Sequence, residues 1–149
     1  MENNLRQDLI ELIDYDLWAN EQWAPVIDQM TANARVAEVW SHILRAQVTW
    51  YDRSINEGDM PALPDDVMAA LRITAQTWKE LMLICDVEAY VSYKTNSGDQ
   101  FFSLISDVVR HLVNHGTFHR GELRAYAATM GVAFPETDYI LWKRLQPIG

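Results

Sequence analysis

Hydrophobic residues recur at helical spacing in four stretches of the chain. Leu5, Leu9, Leu12, Asp16, Ala19, Trp23 and Val26 step by threes and fours, and so do Val36, Trp40, Ile43, Gln47 and Trp50, with Val39, His42 and Ala46 alongside. A third seam runs through Val67, Leu71, Thr74, Trp78, Leu81 and Cys85. The fourth runs through Leu104, Val108, His111, His115, His119, Glu122, Tyr126 and Met130. A period near 3.6 residues turns one face of a helix toward a shared core. Four such helices with short connections predict an all-α fold, a four-helix bundle.

The breaks between seams are legible as well. Gly58 and the Pro61-Ala-Leu-Pro64 stretch part the second helix from the third, which starts at the acidic pair Asp65-Asp66. Gly131 stands where a helix carboxyl cap belongs, and Pro135 follows. Thr137-Asp138 then opens a short C-terminal helix through Tyr139–Trp142 that ends on Lys143 and Arg144. Between the third and fourth helices the pattern changes: Tyr90, Val91 and Tyr93, then Asn96-Ser97-Gly98-Asp99, then Phe101 and Phe102. Aromatic and β-branched residues around a glycine-bearing polar turn predict a small β-hairpin. No repeat or linker divides the chain, so residues 1–149 read as a single domain.

Composition narrows the class. At 149 residues, with six tryptophans and 49% apolar residues, the chain can bury a core of its own. One cysteine, Cys85, excludes an internal disulfide framework, and its place on an apolar seam makes it a core residue rather than a nucleophile. The polar, acidic amino terminus is unlike a signal peptide, and no apolar run reaches membrane-spanning length. A cytoplasmic protein is expected. Twelve basic residues stand against 21 acidic ones, net −9, and the bases are scattered. Affinity for nucleic acid or an anionic membrane draws on clustered Lys and Arg, so neither partner is expected.

The chemistry lies in the fourth seam. Residues four apart on a helix point the same way. Relative to His111, His115 lies about 40° round the helix, His119 about 80° and Glu122 about 20°. Buried imidazoles need hydrogen bonds, charge partners or a metal. An i, i+4 histidine pair can converge on one ion. His111 and His119 are about 12 Å apart, so one adjacent pair at most serves a single ion. His42 on the second helix is the only other histidine and could add a third ligand from across the bundle. Gly116 and Gly121 each cost roughly 1 kcal/mol against alanine in a helix interior, which points to close packing or a ligand near the backbone.

These residues resemble the DinB-like, damage-inducible family. His111-Leu-Val-Asn-His115-Gly-Thr-Phe-His119-Arg120-Gly121-Glu122 resembles that family's His-x-x-x-His-Arg-Gly-Gln signature, and Trp18-Ala19-Asn20 its Trp-Ala-Asn motif. His42-Ile43 with Ala46 and Trp50 resembles its second-helix histidine motif, and the Asn96-Ser97-Gly98 turn and Pro135-x-x-Asp138-Tyr139 tail fit too. The resemblance implies a bundle, typically a homodimer, with one divalent metal ion on His42, His115 and His119. His111 then becomes a neighbour one turn away.

Glu122 departs from the family's usual glutamine. It could accept a hydrogen bond from a ligand histidine, bind the metal, or pair with Arg120 or Arg124; the supporting or structural roles are favoured. Asp16, interrupting the first seam, could take the outer N–H of a ligand histidine or be a solvated acid at a splayed helix end.

Three neutral histidines with an open position suit zinc by default, with nickel or iron compatible, and leave a strong Lewis acid. By analogy with related bundles the expected function is metal-dependent chemistry on a small molecule, of the thiol-dependent transferase or hydrolase type, with a low-molecular-weight thiol as partner. No separate base or nucleophile is identified. The alternative is a non-catalytic metal-binding stress-response protein, and the acidic charge argues against direct work on damaged DNA.

Overall fold

The computed structural model describes residues 2–55 and 59–148, without the side chains of Glu2 and Asn3; the break expected at Gly58 lies outside the described residues. Five helices and one antiparallel hairpin follow in the order α1 (Glu2–Asp28), α2 (Ala34–Ser54), α3 (Val67–Ile84), β1 (Tyr90–Lys94), β2 (Gln100–Leu104), α4 (Ile105–Met130) and α5 (Tyr139–Leu145). Each begins and ends for local reasons. The Asn33 side chain accepts from the amides of Arg35 and Val36 and caps α2, and Asp66 does the same for α3 through Ala69. Gly131 ends α4 in the left-handed region at φ 69°, as its position in the sequence anticipates.

The hairpin falls where it was expected. Tyr90 pairs with Leu104 and Lys94 with Gln100. The Gly98 amide donates to Thr95 and the Thr95 amide to Asp99, with Gly98 at φ 90°, a backbone angle that favours glycine. One boundary differs from the pattern reading. Leu104 is the last strand residue and caps α4 rather than opening its seam, because the strand runs straight into the helix.

Helix α1 packs on α3 and α4, α2 packs on α4 and α3, and α1 and α2 barely meet. The hairpin leans on α2, and α5 on α1. Two large apolar clusters result. One gathers Leu9, Trp78, Met82, Val87 and Val108; the other gathers Trp23, Met30, Val36, Ile43, Leu71 and Leu123. Along every long helix a polar residue separates members of the two: Asp16 and Asn20 on α1, Gln47 on α2, Thr74 on α3 and Arg120 on α4, all buried. No helix of the described residues is long and apolar enough to cross a membrane.

Candidate metal centre

Helices α2 and α4 lie side by side, and that contact brings the second-helix histidine to the fourth-helix stripe. His42 Nε2 lies 3.1 Å from His115 Nε2, which in turn lies 3.1 Å from His119 Nε2. One ligand atom from each falls within 4.8 Å of the others. The three rings are tilted or edge-on to one another, with centroids 4.4 to 4.9 Å apart. Two imidazoles can share a proton at this distance. Three nitrogens converging on one point cannot all be satisfied that way, because each ring nitrogen carries either one proton or one lone pair.

The proton positions follow from the surroundings. His119 Nδ1 lies 3.0 Å from Glu122 Oε1, and the carboxylate can only accept there. That contact places a proton on Nδ1 and turns Nε2 toward the other two rings. Burial, then the neighbouring His119, His42 and His111 rings, lower the His115 imidazole to about 4, and burial lowers His42 as well. Glu122 is held below the usual carboxylate range by the His119 hydrogen bond and by Arg35, whose guanidinium sits 3.1 Å from Oε2. Burial thus favours neutral imidazole at His42 and His115, and imidazole nitrogen is a donor that fits a divalent transition metal.

The site is not sealed in the core, as its place on the seam implied. His42, His115 and His119 are half-buried. Beside His42 and His119 a cleft of about 220 Å³ opens between Arg35, Glu38, Val39 and Arg45. Sequence reasoning placed only Val39 beside His42 and passed over Arg35, Glu38 and Arg45. Arg35 was findable in principle, since it lies seven residues before His42 and so on the same helix face.

The other candidates separate. His111 is exposed and stands apart from the trio, edge-on to Trp50 at 5.3 Å and 5.5 Å from the His115 ring. Glu122 pairs with His119 and Arg35, not with Arg120 or Arg124. Asp16 touches no histidine and is not solvated. It is 5% exposed, and Arg120 Nη1 donates to Oδ1 at 2.7 Å while Gln47 Nε2 donates to Oδ2 at 3.2 Å. Neither expectation for Asp16 matches its contacts: it faces α4 level with the histidines but on another side of that helix, where Gly116 and the Arg120 cation meet it instead.

Around Asp16 the buried polar residues form one connected network. Arg120 also donates to Asn20 Oδ1 at 2.8 Å, Thr74 donates to Gln47 Oε1 at 2.5 Å, and Trp78 donates to the Gln47 carbonyl. Burial pushes the Asp16 carboxyl up, and the Arg120 charge opposes that. Gly116 makes room for the pair: a Cβ there would lie 2.5 Å from Asp16 Oδ1 and 2.9 Å from Arg120 Nη1. The network was signalled by Gln47 and Thr74, which interrupt the seams of α2 and α3 as Asp16 interrupts that of α1.

The sequence profile of the DinB family matches residues 1–148. The Bacillus subtilis (strain 168) protein named Protein DinB is 24% identical over a 161-residue alignment that covers 89% of this chain and 91% of that protein.

Proposed function

This chain belongs to the DinB family, and from that premise we propose that it holds one divalent metal ion on His42, His115 and His119 and uses it as an enzyme on a small molecule, in a thiol-dependent transfer or a hydrolysis. Zinc is the ion that three imidazoles and an open position suit best, in a bundle of four long helices. The observation that carries the reading is the convergence of three Nε2 atoms with the His119 proton held on the far nitrogen by Glu122. A metal at their focus supplies Lewis acidity that lowers the pKa of a water or thiol in the open position.

The protein's own residues then divide the work. Glu122 fixes the tautomer and orientation of His119, and Arg35 fixes Glu122. The cleft between Arg35, Glu38 and Arg45 gives a small molecule a path to His42 and His119. Three protein ligands with an open position beside that cleft suit catalysis better than a closed, four-ligand structural site.

Metal analysis tests the reading. The purified chain is expected to carry about one divalent ion, a single three-histidine set holding a single ion, and His42→Ala or His115→Ala to lose it while the helical circular dichroism persists. Full occupancy in both variants would overturn the site. For catalysis, thiol transfer by the metal-loaded protein is screened with several thiols and electrophiles; activity that survives His119→Ala, or none with any thiol, returns the protein to the metal-binding alternative.

A further inference from the structure

The cleft beside His42 and His119 holds a cation that the metal reading leaves without a task. Its walls carry two guanidiniums, Arg35 and Arg45, and one carboxylate, Glu38. Arg35 is committed, since its two terminal nitrogens reach Glu38 and Glu122, each at 3.1 Å. Arg110, Arg120 and Arg124 elsewhere on the protein likewise each meet a carboxylate. Arg45 does not. It is exposed on the cleft and makes no hydrogen bond or ion pair with any described residue.

Its position ties this free charge to the histidines. Arg45 follows His42 by three residues on α2, so the two are neighbours on one helix face, with Cβ atoms about 5–6 Å apart. The Arg45 charge acts on the His42 ring directly. Arg35, seven residues before His42, stands on the same face and closes the cleft from the other direction. A molecule only a few carbons long therefore spans the distance from the converging Nε2 atoms to the Arg45 guanidinium.

The charges around the cleft select the ligand. Glu38 and Glu122 together offset Arg35 and Arg45. Imidazoles ligate through a lone pair and stay neutral, so a divalent ion on the three histidines leaves its own two positive charges over. In a chain of net charge −9 that surplus is local to the site. A thiolate in the open position meets one of the two charges, and a single carboxylate meets the other; a phosphate dianion would overshoot. A guanidinium also offers paired N–H donors that match the two oxygens of a carboxylate. We infer, resting on the reading in which the three histidines hold a metal, that Arg45 anchors the carboxylate of an acidic small molecule whose other end reaches the ion. Arg45 thereby sets the specificity of the site for acids over their neutral counterparts.

The thiols β-mercaptopropionate and β-mercaptopropionamide, alike in length and different in charge, are the probes, titrated into the zinc-loaded full chain by calorimetry. The acid is expected to bind about tenfold more tightly than the amide, the gain that a charged hydrogen-bonded pair brings. Arg45→Met is expected to bring the acid down to the affinity of the amide while metal analysis finds the zinc content of the parent. Arg72→Met removes the same charge from an exposed position on α3 outside the cleft, and is expected to keep the preference for the acid. The inference is overturned by equal affinities in the parent, by an acid that does not bind, by a preference that survives Arg45→Met, or by one that Arg72→Met removes as fully. A parent chain that takes up no zinc sinks the metal reading and this inference with it, and shows in metal analysis before any thiol is added. A zinc-loaded parent without the preference sinks the role of Arg45 alone.

Discussion

Two polar clusters meet on α4, one turned toward α1 and the other toward α2, and they differ in what satisfies them. Around Asp16 the charges close on themselves: Arg120, Gln47 and Asn20 take the carboxylate oxygens, and Thr74 takes the Gln47 amide oxygen. Around His115 the partners do not close. Three imidazole nitrogens face one another 3.1 Å apart at neighbouring contacts, and the Glu122 carboxylate holds only the outer nitrogen of one ring. A polar cluster that completes itself inside the protein is a structural element. One whose lone pairs point at a common focus is waiting for something from outside, and the neighbouring cleft gives it a way in.

The contrast breaks most visibly at Arg120. Arg120→Ala leaves the Asp16 carboxylate buried without its cation, the kind of change that costs 3–5 kcal/mol, roughly speaking, in a buried pair. Urea denaturation of the variant measures it. A loss of less than about 1 kcal/mol would place Asp16 in contact with water and remove the distinction between the clusters. Replacing the pair together, Asp16→Leu with Arg120→Met, is expected to recover much of the loss, since a buried ion pair often stabilises no more than an apolar one.

The two glycines of α4 sharpen it at the next level. Gly116→Ala sets a methyl group 2.5 Å from Asp16 Oδ1, with rigid helices on both sides, and overpacking of this sort costs roughly 1–3 kcal/mol. Gly121→Ala meets no atom within 4 Å and removes a poor helix former, so it is expected to raise stability by up to about 1 kcal/mol. Thermal unfolding of both variants against the parent tests the opposite signs. Equal shifts would mean that the Asp16 network yields to the added methyl group.

How much of this the sequence carried depends on range. The 3.6-residue period, the Asn96-Ser97-Gly98 turn and the Gly131 stop are local signals, and the helices and hairpin follow them closely. The histidines that meet were also legible, since His115 and His119 are one turn apart and His42 had no rival. What the residues could not state was which helices touch which. That hid Arg35, which reaches Glu122 across 87 positions of sequence, and Arg120, which reaches Asp16 across 104. The sequence leaves Asp16 either a solvated acid or a partner for histidine, the latter because an inward carboxylate needs some cation or donor. The need was real, and the partner came from the same helix as the histidines but from another of its faces.

Glu122 gives the finest measure of the difference, because it touches the open cluster without belonging to it. Its carboxylate receives the His119 Nδ1 proton at 3.0 Å and is steadied by Arg35. Glu122→Gln keeps an oxygen that can accept that proton and removes the negative charge that makes the ring a better donor of its lone pair. Changes in groups that support a ligand histidine typically cost 10–100-fold in metal affinity, and retention of the acceptor puts this one near the lower end, about tenfold. Competition against a chelator of known affinity measures it at fixed pH. Urea stability of the metal-free protein is expected to stay within about 0.5 kcal/mol of the parent, as for a surface pair. That pairing of results separates a residue that tunes the ion from one that holds the fold. If chelator competition shows unchanged affinity while urea stability falls, Glu122 belongs with Arg120 as a packing charge, and the two clusters differ less than their geometry implies.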